Sequence, residues 1–251
     1  MLPAGVERFG YDRDSHAVGI VHFGIGAFHR AHQAWYTDRA MDRGERDWMI
    51  AGVSLRSGTV ASQMNPQDGL YTVTERQQDE RRIRLVGAVR DVLPAPSDPS
   101  RVERALAAES VRIASFTVTE KGYCRAPDGS LDFALADDSS IFGFIAKGLA
   151  RRRAAGLGGL TLLSCDNLAE NGIQLARLTG EYLDRHDPGL RAWFERECAC
   201  PSTMVDRIVP ATAPADRAWL RDAVGLEDEA AVMTEPFSQW VIEDRFAAGR
   251  P

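Results

Sequence analysis

The sequence predicts an α/β fold of the doubly wound, Rossmann-type class, with a mainly parallel sheet and an inserted hairpin. Three observations point to it. Short apolar, β-branched runs alternate with helix-forming stretches, the pattern that builds a parallel sheet through crossover helices. The first such run ends in Gly24-Ile25-Gly26 and passes directly into a helix-forming stretch. A later run, Val111 to Thr119, opens onto Glu120-Lys121-Gly122-Tyr123 at the strand end where such sheets gather their ligand groups.

Taken in order, Val18 to Phe23 reads as the first strand, followed by a helix from Phe28 to about Arg43 and a second strand from Trp48 to Leu55. Such a βαβ unit crosses over right-handedly into a parallel sheet. Leu70 to Glu75 and Ile83 to Val89 alternate in polarity across the charged stretch Arg76 to Arg82, and so read as the inserted hairpin. The prolines of Pro94 to Pro99 punctuate the chain before a helix from about Ser100 to Ala108. Val111 to Thr119 is the next central strand, then come a helix from about Ile141 to Ala155 and a strand from Leu160 to Ser164. Two helices, Glu170 to Arg185 and Pro188 to Glu197, are divided at Asp187-Pro188, because a residue before proline is pushed out of the helical region. Beyond Pro201 the pattern is irregular, with a helix from Ala215 to Val224 and an extended piece around Glu235 to Asp244.

At 251 residues, 44% hydrophobic and 26% charged, the chain is long enough for a sizeable core, as one large domain or a domain with a lobe. A net charge of -6 argues against nucleic-acid binding, since no basic stripe replaces phosphate counterions. Arg151, Arg152 and Arg153 read as the solvated end of a helix. No apolar run approaches the roughly 20 residues of a membrane span, and the N-terminus lacks a basic-then-apolar export pattern. A cytoplasmic protein without membrane partners is expected. Cys124, Cys165, Cys198 and Cys200 are scattered, as reduced thiols are, and Cys198-x-Cys200 lacks the two-residue gap of zinc ribbons.

The Gly24-x-Gly26 turn is half of a dinucleotide fingerprint. Its first glycine permits the tight turn, the second lets backbone approach a pyrophosphate, and the helix amides that follow supply donors. His29 stands where the third glycine would be, so by spacing alone a turn with no ligand reads equally well. The second strand ends Leu55-Arg56-Ser57-Gly58-Thr59, without the acid that bonds an NAD ribose. Arg56 suits a 2'-phosphate or an adenine face, which leaves NAD and NADP both open. His29 and His32 have a metal-compatible spacing but no evident third ligand; a packing or phosphate-neighbouring role is favoured, and no metal is expected.

Five blocks together resemble the mannitol dehydrogenase family, the polyol-specific long-chain dehydrogenases, in the family's own order. They are Gly24 to Gln33, Thr117 to Cys124, Leu163 to Asn167 with Asn171-Gly172, Met204 to Pro210, and Glu235 to Phe246. The resemblance implies a zinc-independent, NAD(P)-dependent dehydrogenase acting on CH–OH groups. It places Gly24, Ile25, Gly26, Ala27, Phe28, Arg30, Arg56 and Thr119 at the cofactor. Asn167 is implied as a donor to the developing oxyanion, Asp206 lies near the substrate, and Glu120 stands beside the nicotinamide and the proton path. The runs around Lys121 and Asp206 are most similar to the fructuronate reductase (mannonate oxidoreductase) branch, where Lys121 would meet a uronate carboxylate. A mannitol/fructose-type 2-dehydrogenase is the alternative. The family's acid/base is a lysine in a Lys-x-x-x-x-Asn-x-x-His pattern of a helical second domain, and this sequence has no such pattern. Residues 1–251 are therefore expected to be the N-terminal dinucleotide-binding domain, possessing the cofactor site without that catalytic domain. A dinucleotide-binding module with no independent catalysis is the competing reading. A monomer with a small sugar-acid or polyol substrate is expected.

Overall fold

The computed structural model describes residue 3 and residues 5–251. A short strand, β1 (Val6–Arg8), precedes β2 (Val18–Phe23), which is buried from Gly19 onward on both faces, as central parallel strands are. Helices α1 (Ala27–Ala31) and α2 (Gln33–Asp42) follow. The single helix expected here is broken at His32, whose backbone (φ −120°, ψ −87°) leaves the helical region. The first crossover returns the chain to β3 (Met49–Ser54).

From α3 (Thr59–Met64) the chain forms β4 (Tyr71–Gln77), β5 (Glu80–Val86) and β6 (Val89–Pro94). The hairpin is present as β4 and β5, paired antiparallel from Tyr71 opposite Val86 to Gln77 opposite Glu80. Its charged residues lie within the strands near the turn rather than between them. Ile83 to Val89 is not one strand: it divides at Gly87, where a Cβ would overlap the Phe9 ring, and Val89 onward joins the main sheet. That strand escaped the sequence reading because Arg90, Asp91 and Pro94 interrupt its apolar pattern, a pattern tolerated at a sheet edge.

Next come α4 (Pro99–Leu106), β7 (Ile113–Phe116), the single turn α5 (Thr119–Gly122), α6 (Ile141–Ala154) and β8 (Thr161–Ser164). Then α7 (Asn171–His186), α8 (Pro188–Glu197), β9 (Thr203–Asp206), α9 (Pro214–Val224), β10 (Val232–Thr234) and β11 (Gln239–Ile242) complete the chain. The main sheet has five parallel strands in the order β6-β3-β2-β7-β8. A four-stranded sheet, β1-β5-β4-β10, and an antiparallel pair, β11-β9, flank it.

Two apolar layers sandwich the main sheet. Val21, Phe23, Ala114 and Phe116 pack on one side with Leu106, Phe142 and Phe144, and the Phe23 and Phe116 rings stack at 5.3 Å. Ile20, Ile50, Ile113 and Leu163 pack on the other with Ala34 and Met41. The arginine run in the last turn of α6 is only partly solvated. Arg152 is buried, donating to Gly158 O (2.7 Å) and Ala108 O (2.8 Å), while Arg151 and Arg153 pair with Glu103 and Asp187. A guanidinium that closes open carbonyls at a helix end is more valuable buried than solvated.

Asp38, fully buried on α2, fastens that helix to the four-stranded sheet. It accepts from Tyr11 Oη (2.7 Å), Gly87 N (2.8 Å) and Arg84 Nε (2.8 Å). Removing one partner of such a pair strands the other without water, so Asp38→Ala is expected to lower unfolding free energy by about 3–5 kcal/mol. Arg153→Ala, which removes a partly exposed ion pair, should change it by less than about 1 kcal/mol. Urea unfolding of both variants checks the contrast.

Candidate functional site

In the main sheet, strand order reverses between β2 and β7, and the register sets Phe23 beside Phe116 and Phe116 beside Ser164. Three turns therefore leave the sheet side by side at the crevice where doubly wound folds hold ligands.

The turn after β2 is held by steric necessity. Gly24 has φ +99°, and a Cβ on it would overlap the Thr117 carbonyl, so only glycine fits. Gly26 is different. It is extended (φ −75°, ψ −176°) at the start of α1, no side chain caps that helix end, and the nearest atom to a Cβ there would be Gly24 O at 3.8 Å. Its bare side faces open space, leaving the amides at the helix start accessible.

The turn after β7 contains Thr119 at φ 65°, a left-handed conformation that costs a non-glycine residue on the order of 1 kcal/mol or more. The Asp166 carboxylate, from the turn after β8, holds it by accepting from Val118 N (3.0 Å), Thr119 N (2.9 Å) and Tyr123 Oη (3.0 Å). Burial raises the Asp166 carboxyl above the usual carboxylate range, and the two amide bonds partly offset this. Burial, and then the Asp166 charge, push the Tyr123 hydroxyl well above its ordinary value. Asp166 is thus committed inward, while Asn167 beside it is exposed.

A second clamp brings up β9. Asn171 Nδ2 donates to Asp166 O (3.0 Å) and Thr203 O (3.0 Å), and Asn171 Oδ1 accepts from Thr203 N (2.8 Å). The strand bearing Asp206 is thereby tied to the turn bearing Asn167. Arg207 then turns inward, donating to Ala31 O (2.5 Å), Glu75 Oε1 (2.6 Å) and Glu235 O (3.0 Å).

The result is a cleft of about 610 Å³, lined by Gly24, Gly26, Ala27, Phe28, Thr119, Glu120, Asn167 and Asp206 together with Thr117, Asp166 and Arg207. A pocket of about 280 Å³ adjoins it, sharing Gly24, Gly26, Thr117 and Thr119 and adding Ile25, Ser54, Leu55 and Arg56. The sequence-predicted residues thus converge, with two exceptions. Arg30 is buried behind the turn, where Nη1 donates to Ile25 O (3.1 Å), and Lys121 is exposed and lines neither space. Sequence reasoning missed the roles of Thr117, Asp166, Asn171 and Arg207 in the site; each lies in a block that carries the resemblance, but nothing in the sequence marks it as a clamp. A separate, mainly apolar cavity of about 350 Å³ lies beneath Tyr36 and Trp240 and shares only His29 with the cleft.

His29 and His32 are both buried, and His29 also lines the cleft. His29 stacks on His22 with centroids 3.4 Å apart, and His32 Nε2 lies 2.8 Å from Gln239 O. Among the described residues, no group of three or more His, Cys, Asp or Glu side chains is placed to hold a metal. The four cysteines are unpaired, with burial pushing the Cys198 thiol up to about 11 and Cys200 up to about 12. Among the described residues, no helix is long and apolar enough to cross a membrane.

Residues 18–251 match the family model of the mannitol dehydrogenase Rossmann domain. The polyol:NADP oxidoreductase of Gluconobacter oxydans (strain 621H) is 40% identical over 266 residues, covering 100% of this chain and 55% of that protein. The D-mannonate oxidoreductase of Escherichia coli (strain K12) is 38% identical over 261 residues, covering 98% of this chain and 54% of that protein. The structure of Pseudomonas fluorescens mannitol 2-dehydrogenase, a ternary complex with NAD and D-mannitol, superposes with a TM-score of 0.92 at 38% identity, covering 100% of this chain and 54% of that one. The chain thus spans about half the length of these relatives.

Burial pushes His22 down to about 3, His32 down to about 4 and His29 well below its ordinary value. All three fold as neutral rings, while the unfolded chain takes up protons near pH 6.5. Stability is therefore expected to be full above about pH 6.5 and to fall as pH drops toward the folded values, by up to about 1.4 kcal/mol per pH unit for each ring. Denaturant midpoints measured from pH 7 to pH 5, above most carboxylate titrations, check this; a flat profile contradicts it.

Proposed function

This chain belongs to the mannitol dehydrogenase family, and from that premise we propose that it is the dinucleotide-binding part of an oxidoreductase. The proposed reaction transfers a hydride between NAD(P) and a sugar alcohol or sugar acid. The observation that supports this most is the open side of Gly26 above uncapped helix amides, a cradle that a Cβ would fill. A pyrophosphate suits those donors, and the adjoining pocket at Arg56 suits the adenosine end. Bound there, the nicotinamide supplies the hydride donor or acceptor.

The chain's own residues would do the rest. Asn167 donates a hydrogen bond to the substrate oxygen as negative charge develops, a contribution that grows in a dry site. Asp206 accepts from substrate hydroxyls, and Glu120 holds a proton path to solvent at the cleft rim. Thr119, kept in its strained conformation by Asp166, presents its backbone to the cofactor. No lysine lines the cleft among the described residues, so the reading assigns residues 1–251 to cofactor binding and leaves the acid/base to another domain.

The two substrate classes are not separated by this chain's own residues. The cleft is lined by Glu120, Asp166 and Asp206, and its one cation among the described residues, Arg207, is already paired with Glu75. With Lys121 outside the lining, a uronate carboxylate would draw its charged partner from the domain that brings the acid/base. Both the neutral alditol/ketose pair and the fructuronate/mannonate pair therefore stay open. Arg56, with no acid at the end of β3, favours NADP at least as much as NAD.

Titration with NADH and NADPH, followed by energy transfer from tryptophan, is expected to show saturable binding of at least NADPH. Arg56→Ala should weaken NADPH by about 10-fold or more, the worth of a charged hydrogen bond, and NADH far less. Absence of binding of either at millimolar concentration would sink the reading. Assays of the enzyme extended to its relatives' length, on neutral and uronate pairs, decide the substrate class; activity on neither overturns the proposed reaction.

A further inference from the structure

We infer that His22 is a positioning residue for the dinucleotide turn, acting through the Thr117 hydroxyl on the Gly24 carbonyl without touching any ligand. The inference rests on the dinucleotide reading above and adds a residue that the glycine motif does not contain.

The geometry fixes the direction of each hydrogen bond. Gly24 O can only accept, so Thr117 Oγ1, 2.7 Å away, spends its one proton on it. The remaining capacity of that hydroxyl is to accept, and its other partner is His22 Nε2 at 2.8 Å. His22 therefore has its proton on Nε2. Its Nδ1 is then a bare acceptor and accepts a hydrogen bond from Ser115 Oγ, also at 2.8 Å. The imidazole is fully buried, and His29 stacks on it with only 15° between the ring planes, so the ring is held in orientation as well as in tautomer. Burial, which keeps the ring neutral, is opposed by the nearby Gly24 carbonyl.

The mechanical consequence follows from Gly24. Its left-handed peptide has no side chain to hold it, and Thr117 Oγ1 is the side-chain donor that helps set the direction of its carbonyl. Gly26 N in turn donates to that same oxygen at 2.6 Å, so the chain Ser115–His22–Thr117–Gly24 ends at the amide that begins the cradle. A donor lost at His22 frees the Thr117 hydroxyl to rotate away, and the turn loses its fixed aim at the cleft. Thr117 lines both the cleft and the adjoining pocket, so this acts where the two meet.

The test is a double-mutant cycle read as dinucleotide Kd, with unfolding midpoints measured beside it. His22→Asn keeps an acceptor near Ser115 but cannot reach Thr117, and Thr117→Val deletes the hydroxyl. Each is expected to weaken NADPH or NADH by about 3- to 10-fold, the worth of one neutral hydrogen bond, and the double variant no further than the weaker single one. His22→Gln, whose amide nitrogen reaches the Nε2 position, is expected to restore near wild-type affinity at a stability similar to that of His22→Asn. Long-range proton–nitrogen correlation of the wild-type imidazole should show the Nε2–H tautomer at pH 7. Additive losses, losses that track stability alone, or an Nδ1–H tautomer overturn the inference. Should His22→Asn fail to fold, His22→Gln against Thr117→Val decides: a loss in Gln equal to that in Val overturns it. If the wild-type chain binds neither dinucleotide, the functional reading falls with it; if it binds and the cycle is additive, only this inference falls.

Discussion

The carbonyl of Thr117 passes so close to the α-carbon of Gly24 that no side chain fits between them. Two adjacent parallel strands, β2 and β7, thereby end in turns that touch, and the crevice at the reversal of strand order has a fixed floor. Everything else at the site is arranged around that contact. Asp166 holds the turn after β7 in an unfavourable conformation, and Asn171 ties the turn after β8 to the strand bearing Asp206. A site whose backbone is strained on one side and glycine-dependent on the other is stable only because these buried carboxylate and amide bonds over-determine it.

The polar groups nearest the cleft divide into two kinds. Asp166, Asn171, Arg207 and His22 are spent on the protein's own backbone and side chains, and burial shapes their ionisation or makes their bonds costly to lose. Asn167, Asp206, Glu120 and Arg56 are exposed and available to a ligand. The adjacency of Asp166 to Asn167 and of Asp206 to Arg207 shows how one residue of each pair positions the other. A substrate thus meets side chains whose backbone is already held, and little ordering entropy is left to be lost on binding.

Much of this was legible in the sequence. The strand-turn-helix at Val18 to Ala31, the central strands and the clustering of Gly24, Glu120 and Asn167 follow from apolar runs ending in polar residues, because sheet topology decides where strand ends meet, whereas Asp206 is placed there only by the family resemblance. Other features were not. Val89–Pro94 is a sheet-edge strand with charged residues in it, so periodicity does not mark it. Arg30 reads as a phosphate ligand beside a glycine turn, yet its guanidinium turns back to Ile25 O, a choice made by burial rather than by position in the motif. Lys121 lies next to a site residue in sequence, but in the turn of α5 consecutive side chains diverge, and it points away from the lining.

Backbone amides beside Gly26 are the proposed hold on the dinucleotide, and Gly26 permits a direct test because its own conformation needs no glycine. A Gly26→Val substitution adds a side chain only into open space of the cleft. The expected result is an unchanged unfolding midpoint with loss of NADH and NADPH binding in the fluorescence titration. A Gly26→Val chain that folds normally and binds either dinucleotide as tightly as the wild type would contradict it.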